Sequence, residues 1–570
     1  MNPSKTFVDV LRDRAASRES SRGFTFLSEG GGLEEHLDYE TLDRRAREMG
    51  RMLAARARPG ERALLVFDPG FDYVVTLFAC FYAGLVAVPA YPPNPLRPEA
   101  GIAQLERVAL DSRAALALGS GGLLAHLGPL LVDAPWARGL EWIDVNAPGA
   151  DRAARLPEVG AEDIAIVQYT SGSTSDPKGV VVTHRNLIHN AGFIREAFSL
   201  SASSSGVSWL PPHHDMGLMG GIIQPLFVGM HMVLFSPQLF IQRPVTFLEA
   251  ITKFRLTGGG SPNFGYELLT RRIPDSAKER LDLSTWDLAF CGAEPVRAST
   301  LDAFAAAFAV CGFRRKAFLP CYGLAEATLL VTAAAHAHEP RRLIIDAASL
   351  DAGKVAAATG DSPARPFVSC GRPPEGVTVR IVDPGSAKPH EEDRTGEIWV
   401  KGPNVASGYW DKPAATGAVF DARLADGEGG YLRTGDLGFI DQGELFVTGR
   451  LKDVIIIRGR NLHPQDIEST VEHAHPTVRP GRSAVFSAEI EGDEQLIVVC
   501  EVARRVLLDP TPTMEAVRLA VANAHGIVPH QIVLLEPSRL PRTSSGKPRR
   551  AKSRERFLAG RLHEEVEVFE

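Results

Sequence analysis

One stretch, residues 167–186, constrains the fold of this chain more than any other. It reads VQYTSGSTSDPKGVVVTHRN. An apolar run at residues 164–169 predicts a strand, and the loop of Thr, Ser and Gly that follows it ends in Pro-Lys-Gly. A β-branched run, Val180 to Thr183, comes next, and a helix is predicted to begin near His184. The stretch therefore predicts a strand, a polar loop, a second extended run and a helix in immediate succession.

The loop in this stretch is suited to bind a polyanion. Small hydroxyl residues and glycines let backbone N–H groups point inward at phosphate oxygens. The residues that would form such a cradle are Thr170, Ser171, Gly172, Ser173, Thr174 and the cation Lys178. The pattern GxxxxGK[ST] is not satisfied, so this is not the P-loop of the common NTPases. We predict a triphosphate cradle, with a polar surface turn as the alternative.

Length and composition exclude several classes of protein. A chain of 570 residues predicts three or four structural units. The net charge of -7 argues against a general nucleic-acid binder, which needs a basic face. Six cysteines without CxxC or metal spacing, and an N-terminal stretch without an apolar signal core, favour a reduced, cytoplasmic protein. Residues 73–91 are apolar, but Gly84 and Pro89 divide them, so we predict no membrane span.

The periodicity of the chain predicts an α/β protein in several parts. Strand, helix and strand alternate at residues 62–67, 71–82 and 85–89, a rhythm that implies parallel sheets covered by helices. The chain after about Val368 looks β-rich, and residues 454–570 restart with a strand–helix pattern of their own. We therefore predict a large domain at 1–450, a joint at 451–453 and a small α+β domain at 454–570. Residues 346–366, with little periodicity, are predicted to be an inserted loop.

Two further turns resemble binding loops because each follows a predicted strand. Gly292, Ala293 and Glu294 follow the strand at 286–290. Tyr322, Gly323 and Glu326 follow the strand at 317–320. Ligands of α/β sheets gather at such carboxyl ends of strands. Three Gly-rich polar turns in one chain are hard to explain as packing alone.

A glycine-rich apolar segment, residues 211–230, is the candidate site for an alkyl chain. His213, His214 and Asp215 open it, but adjacent residues rarely converge on one metal ion, which argues against a metal site. Glycines on an apolar helix leave a groove that an alkyl chain could occupy; close helix packing is the alternative. The candidate lining residues are His214, Met216, Gly217, Gly220, Gly221 and Ile222.

These motifs and their order along the chain resemble those of the acyl-adenylate-forming enzymes. That superfamily includes acyl-CoA ligases and the adenylation domains of peptide synthetases. TSGSTSDPKG resembles their phosphate loop, GAE at 292–294 their adenine turn, and YGLAE at 322–326 the segment that carries a tyrosine near adenine and a glutamate for Mg²⁺. YLRTGD resembles the motif whose aspartate, here Asp436, holds the ribose hydroxyls. TGRLK resembles the motif with the ribose arginine, here Arg450, and the hinge, here Lys452. PRTSSGK resembles the loop with the adenylation lysine, here Lys547.

Three segments have sequences that resemble those of the fatty acyl-AMP ligases within that superfamily: HHDMGLMGGIIQPL, YGLAEATLLVT and GRNLHPQDIE. The resemblance implies an α/β adenylate-forming domain with two α/β sheet subdomains and a β-rich subdomain, followed by a small mobile domain. It implies that a fatty acid and ATP form acyl-adenylate and pyrophosphate, with Mg²⁺ held by Glu326 and Thr170. It also implies transfer of the acyl group to an acyl carrier protein, with the insertion at 346–366 disfavouring CoA.

Three alternatives stay open at this point. An ordinary fatty acyl-CoA ligase differs mainly in lacking the insertion. An amino-acid adenylation domain normally holds the amino group with an aspartate in the pocket, and the glycine-methionine groove suits an alkyl chain better. A non-catalytic fatty-acid-binding protein on the same fold would not need the residues Lys178, Glu326, Asp436, Arg450 and Lys547.

Overall fold

The computed structural model describes residues 5–17, 22–28, 34–93, 98–147, 154–169, 177–360, 362–457, 460–490, 493–543 and 546–563. Its strands are β1 (Gly23–Leu27), β2 (Glu34–Asp38), β3 (Arg62–Val66), β4 (Val86–Ala90), β5 (Leu116–Gly119), β6 (Glu141–Asp144), β7 (Ile164–Tyr169), β8 (Gly179–Thr183), β9 (Ser205–Ser208), β10 (His231–Phe235), β11 (Gly258–Ser261), β12 (Leu288–Cys291), β13 (Phe318–Gly323), β14 (Leu330–Ala333), β15 (Arg342–Asp346), β16 (Ala364–Val368), β17 (Thr378–Val382), β18 (Gly396–Lys401), β19 (Leu432–Asp441), β20 (Glu444–Arg450), β21 (Ile455–Ile457), β22 (Arg460–Leu462), β23 (Val478–Ile490), β24 (Asp493–Val502) and β25 (Gln531–Leu535).

The α-helices are α1 (Phe7–Ala16), α2 (Tyr39–Ala54), α3 (Phe71–Tyr82), α4 (Pro98–Ser112), α5 (Gly121–Leu131), α6 (His184–Ala197), α7 (Gln224–Val228), α8 (Pro237–Gln242), α9 (Val245–Phe254), α10 (Asn263–Arg272), α11 (Asp275–Lys278), α12 (Ala298–Phe308), α13 (Ala347–Asp351), α14 (Pro413–Phe420), α15 (Pro464–Ala474), α16 (Thr511–His525) and α17 (Arg550–Leu558). A π-helix, Met216–Ile223, precedes α7.

Two large sheets share one hydrophobic core. The first has the strand order β6-β5-β3-β4-β7-β8, and the second β14-β13-β12-β11-β9-β10-β1-β2. Within the first sheet, β3 to β7 pair in parallel, as the strand–helix rhythm predicted, and β8 returns antiparallel to β7. Side chains of α2, α3, α6 and the π-helix fill the space between strands of both sheets. The helices are amphipathic or wholly apolar because each buries a face against a sheet.

One strand, β11, was not predicted because it consists of Gly258, Gly259, Gly260 and Ser261. Glycine is depleted in strands, so the sequence gives no strand signal here. The neighbouring strands leave no room for larger residues. A Cβ at Gly260 would clash with the Phe290 carbonyl oxygen, and one at Gly259 would lie 2.8 Å from Val207. Close approach of backbones explains this run of glycines.

The β-rich region predicted after Val368 is an antiparallel sheet of order β17-β18-β19-β20. The 3₁₀ turn Leu451–Asp453 follows it and contains Lys452. The chain then forms β21-β22 and a separate sheet of order β23-β24-β25, packed against α15, α16 and α17. This α+β arrangement agrees with the sequence pattern, while the boundaries 1–450, 451–453 and 454–570 stay predictions.

Residues 346–366 differ from the irregular loop expected from their composition. They begin at the end of β15, continue into α13 and enter β16, which pairs antiparallel with β15. Ile345 and Leu350 pack against Phe439 and Phe446 of the β17–β20 sheet. Alternation over five-residue strands is too short to stand out among small and polar residues, so this hairpin was missed.

The apolar stretch at residues 73–91 is divided between α3 and β4, as predicted. Both elements are buried in the large core. Across the described ranges, the structure has no helix with the length and apolar character needed to cross a bilayer.

Candidate active site

The predicted phosphate loop is described only at its two flanks. Outside the described residues lie Thr170, Ser171, Gly172, Ser173 and Thr174. Tyr169 ends β7, and Lys178 precedes β8 with its Nζ 5.1 Å from the centroid of the Tyr409 ring. A Cβ at Gly179 would lie 2.9 Å from the Tyr169 ring, which explains a glycine directly after the lysine.

The predicted adenine turn follows β12 and has a strained backbone. Ala293 has a φ of +66°, in the left-handed region that residues other than glycine rarely adopt. The buried Gly292 lies against β13, since a Cβ there would be 3.0 Å from the Cys321 sulfur. Glu294 accepts a hydrogen bond from the Phe264 N–H at 3.0 Å, and burial raises the pKa of its carboxyl. The turn thus presents the Ala293 backbone outward.

The two predicted ribose residues form a network with the tyrosine predicted to lie near adenine. The Tyr322 hydroxyl donates to Asp436 Oδ2 at 2.8 Å, and Arg450 Nε donates to Asp436 Oδ1 at 2.9 Å. Asp436 and Arg450 face each other because they are register partners in β19 and β20. The carboxylate of Asp436 raises the pKa of the Arg450 guanidinium. The structure therefore brings together three residues that are separated by up to 128 positions in the sequence.

Glu326 lies in a 3₁₀ turn, Ala325–Ala327, and its Oε1 accepts a hydrogen bond from the Tyr409 hydroxyl at 2.9 Å. Burial raises the pKa of the Glu326 carboxyl. Thr328, directly after the turn, has a φ of +67°, and Gly323 before it leaves no room for a Cβ beside Leu329. The backbone on both sides of Glu326 is thus fixed in a conformation that neither a regular strand nor a regular helix has.

Lys547 reaches this region from the C-terminal part of the chain. Its Nζ donates a hydrogen bond to the carbonyl oxygen of Ala293. The loop that carries it is closed by hydrogen bonds between Thr543 and Lys547, at 2.8 Å from Thr543 N to Lys547 O. Burial lowers the pKa of the Lys547 ammonium, while the carboxylates of Glu294, Asp215 and Asp436 oppose that shift. The predicted lysine therefore meets the predicted adenine turn.

The predicted acyl segment is a π-helix rather than an ordinary α-helix, and its three glycines differ. A Cβ at Gly217 would clash with the Pro211 carbonyl oxygen, so this glycine serves close packing. A Cβ at Gly221 would lie 3.3 Å from Ser208 Oγ, whereas one at Gly220 would meet nothing within 4 Å. Of the three, Gly220 is the one that leaves space. π-helices are rare and recur at functional sites, which composition alone does not reveal.

Met216 and Ile222 belong to the same π-helix, and His214 precedes it. Met216 is half-buried and Ile222 is buried in the core shared by the two sheets. Burial lowers the pKa of His214; Asp215 opposes the shift and the charge of Lys547 adds to it. The charge of Lys547 therefore acts on the imidazole that precedes the acyl segment.

Among the described residues, no three side chains of His, Cys, Asp or Glu are grouped to hold a metal ion by themselves. Mg²⁺ does not need such a group, because it commonly binds through one or two carboxylates plus substrate phosphates. Glu326 fits that role: it is half-buried, and partial burial without a cation disfavours the charged form of its carboxyl and raises its pKa. The second predicted ligand, Thr170, lies outside the described residues.

Tyr409, which contacts both Lys178 and Glu326, was not predicted from the sequence. The signal was a pair of aromatic residues, Tyr409 and Trp410, directly after a glycine in an otherwise polar stretch. A single sequence gives no reason to prefer this pair over the other aromatic residues. Its importance follows only from contacts distant in sequence.

Comparisons with known proteins show the family of this chain. Residues 12–410 match the family described as AMP-binding enzyme. The chain belongs to the AMP-binding enzyme family. Within this AMP-binding enzyme, residues 452–567 also match the family described as Disco-interacting protein 2-like, AMP domain. The first match ends at residue 410 and the second begins at residue 452.

The chain is also similar to two curated proteins and to one solved structure. The medium-chain-fatty-acid–[acyl-carrier-protein] ligase JamA of Moorena producens (strain JHB) is 41% identical over 566 residues, which covers 98% of this chain and 96% of JamA. The ligase of the same description, TtuA of Teredinibacter turnerae, is 34% identical and covers 97% of this chain and 93% of TtuA. A structure from a study of fatty acyl-adenylate ligases of E. coli and L. pneumophila has a TM-score of 0.88 and 34% identity, covering 97% of this chain and 98% of its own. The predicted α/β adenylate-forming fold, a large domain followed by a C-terminal domain, is confirmed.

Proposed function

We propose that this AMP-binding enzyme activates a fatty acid with ATP, forms the acyl-adenylate and pyrophosphate, and passes the acyl group to the phosphopantetheine thiol of an acyl carrier protein. The observation that carries the proposal is the contact between Lys547 and Ala293. It brings a cation from the C-terminal part of the chain to the turn that the resemblance assigns to adenine. The printed descriptions of JamA and TtuA support the choice of fatty acid and carrier protein.

The first half-reaction needs charge stabilisation more than covalent chemistry. The fatty acid carboxylate attacks the α-phosphorus of ATP, the bond to the pyrophosphate oxygen breaks, and negative charge builds on the phosphate oxygens. Holding both reactants in one pocket removes much of the entropic barrier. Lys547 would stabilise the charge that develops, and Lys178 would bind the leaving phosphates. Burial lowers the pKa of the Lys547 ammonium and the charge of Arg450 adds to that shift, while the carboxylates of Glu294, Asp215 and Asp436 oppose it.

The nucleoside would be held by the network around Asp436. The resemblance assigns the ribose hydroxyls to Asp436 and Arg450, and Tyr322 to the adenine ring. In the structure Tyr322 and Arg450 already fix the Asp436 carboxylate from two sides, at 2.8 and 2.9 Å. A carboxylate fixed in this way keeps its orientation when ribose hydroxyls donate to it.

A magnesium ion fits the site through Glu326, with Thr170 as the second ligand that the resemblance implies. When bound, Mg²⁺ would offset charge on the phosphate oxygens. The chain's own contribution is to hold Glu326 in place, through the hydrogen bond from Tyr409 and the strained turn at Thr328.

The acyl chain would lie along the π-helix at residues 216–223, with Gly220 facing the space it occupies. The medium-chain description of JamA and TtuA supports a fatty acid of that class. The proposed domains are a large domain at 1–450 with an insertion near 346–366, a hinge at 451–453 that includes Lys452, and a small mobile domain at 454–570.

The proposal is tested by measuring pyrophosphate release from ATP and Mg²⁺ with a panel of saturated fatty acids. Amino acids and a no-acid reaction are the controls. The proposal predicts release that depends on the fatty acid and is selective for chain length. Equal release with amino acids, or none with any fatty acid, would contradict it. A non-catalytic fatty-acid-binding protein would give binding without pyrophosphate.

A further inference from the structure

A short segment of the β-rich region, residues 406–412, bridges the two sides of the candidate site. Its backbone pairs with β8: Val181 N donates to Gly408 O at 2.9 Å, and Trp410 N donates to Gly179 O at 2.8 Å. At its other end Ala406 N donates to Glu326 O at 2.9 Å. The segment, which we name the bridging segment, therefore joins the end of the phosphate loop to the turn that carries Glu326.

Tyr409 is the centre of the bridging segment. Only 8% of its surface is exposed. Its hydroxyl donates to Glu326 Oε1 at 2.9 Å, and its ring lies 5.1 Å from Lys178 Nζ. Phe420 packs edge-on against the ring at 5.1 Å, and the Thr416 hydroxyl accepts from Tyr409 N at 3.0 Å. The ring is thus locked between a lysine on one side and a glutamate on the other.

The far end of the bridging segment reaches the other flank of the phosphate loop. Lys412 Nζ lies 2.8 Å from Asp111 Oδ1, and the Tyr169 hydroxyl donates to Asp111 Oδ2 at 2.7 Å. Tyr169 is the last residue before the stretch 170–176. Both flanks of the loop are therefore tied to one short segment, directly at Gly179 and through Asp111 at Tyr169.

We propose that Tyr409 is a positioning residue that fixes the separation between Lys178 and Glu326, so that the lysine and the glutamate engage one polyphosphate chain together with its divalent cation. The inference rests on the proposed function, in which these two residues hold ATP and Mg²⁺. Lys178 precedes a strand of one large sheet and Glu326 follows a strand of the other. A ring that contacts both transmits the position of one to the other. Side chains that bind a charged group need such support, because a loosely held side chain stabilises the bound charge much less.

The test compares Tyr409→Phe with Tyr409→Leu. Tyr409→Phe keeps the ring and its contacts with Lys178 and Phe420 but removes the hydrogen bond to Glu326; Tyr409→Leu removes both. Tyr82→Phe is the matched control, because the Tyr82 hydroxyl also donates to a buried carboxylate, Asp43, distant in sequence from the site. Binding of α,β-methylene ATP is measured by calorimetry with and without Mg²⁺, alongside the Mg²⁺ dependence of pyrophosphate release.

For Tyr409→Phe we expect the half-saturating Mg²⁺ concentration to rise about tenfold, as loss of one hydrogen bond to a charged group predicts. Binding of the analogue without Mg²⁺ should change less than twofold, because the contact with Lys178 is kept. Tyr409→Leu should also weaken binding without Mg²⁺. The proposal is overturned if Tyr409→Phe behaves like Tyr82→Phe in both measurements. If the wild-type protein releases no pyrophosphate, the proposed function fails, but the binding measurements still decide the role of Tyr409.

Discussion

Asp351 accepts a hydrogen bond from the Arg460 guanidinium at 2.8 Å, which links the segment 346–366 to the C-terminal part of the chain. A second contact links the same two parts of the chain, because Arg365 Nη1 lies 3.4 Å from Asp466 Oδ2 in α15. Asp351 and Arg365 also pair with each other at 2.9 Å, and both are largely buried. The segment thus contacts the C-terminal part in the same structure in which Lys547 meets Ala293.

Arg460→Ala is expected to raise acyl-CoA output relative to acyl-AMP about fivefold. A partly exposed ion pair contributes up to about 1 kcal/mol, which is about that factor in a two-state equilibrium. Asp351 keeps Arg365 as a partner, so the variant leaves no buried carboxylate unpaired. Products are quantified by mass spectrometry with and without CoA.

Arg504→Ala is the control for this experiment, because Arg504 is exposed and pairs only loosely with Glu536, at 3.6 Å. Deletion of residues 352–364 tests the segment more coarsely and is expected to act in the same direction. The account of the insertion is contradicted if the wild-type protein uses CoA as fast as it adenylates. It is also contradicted if Arg460→Ala and the deletion stay active in adenylation and gain no CoA activity.

Lys547→Ala is expected to lower acyl-adenylate formation by about 10²–10³-fold while the fold and ATP binding persist. Removal of one preorganised charged donor typically has that effect. The measurement is fatty-acid-dependent pyrophosphate release together with thermal unfolding. Lys552→Ala, which breaks only a surface pair with Glu555, should behave as wild type. Near wild-type release by Lys547→Ala would remove this lysine from the mechanism.

Gly220→Phe is expected to reduce activity with the longest accepted fatty acids by at least about tenfold, and with short ones much less, since a bulky ring would fill the space beside the π-helix. Gly122→Phe, at another helical glycine with open space around it, is the control. Gly221→Phe should lower thermal stability as well, because Ser208 lies 3.3 Å from its Cβ position. An equal loss at all chain lengths for Gly220→Phe would show that Gly220 does not line the acyl site.

Glu472→Gln is expected to stabilise the protein at pH 8 but not at pH 4. Burial raises the pKa of Glu472 to about 7 from an ordinary value of 4.5. The folded state therefore binds more protons than the unfolded state between these values, so stability falls as pH rises from about 4.5 to 7. The cost above pH 7 is at most about 3 kcal/mol. Thermal unfolding at both pH values measures it, with the exposed Glu494→Gln as control; a pH-independent difference would contradict the assignment.

The core elements were predictable because burial leaves a plain pattern in the sequence. The helix at 71–82 and the strands at 62–66 and 86–90 are mainly apolar runs with turn residues between them. β11 and the hairpin β15–β16 were missed because their cause is close backbone approach or pairing between residues distant in sequence. Neither cause leaves a local signature.

The candidate site was predictable in its residues but not in its connections. Asp436, Arg450 and Tyr322 were each identified by resemblance, and their hydrogen-bond network emerged only in three dimensions. Tyr409 was not identified, because its role depends on contact with Lys178 and Glu326 at the same time. The sequence likewise did not show which glycines serve close packing and which leave open space, because this depends on neighbours from other elements.

The central claim, that this chain joins a fatty acid to AMP, is tested most directly by mass spectrometry of the products formed from ATP, Mg²⁺ and a panel of fatty acids. The account predicts an acyl-adenylate and pyrophosphate for at least one chain length, accumulation of the acyl-adenylate when CoA is added, and its consumption when a phosphopantetheinylated carrier protein is added. The absence of any acyl-adenylate from the wild-type protein, with ATP shown to bind, would contradict the account.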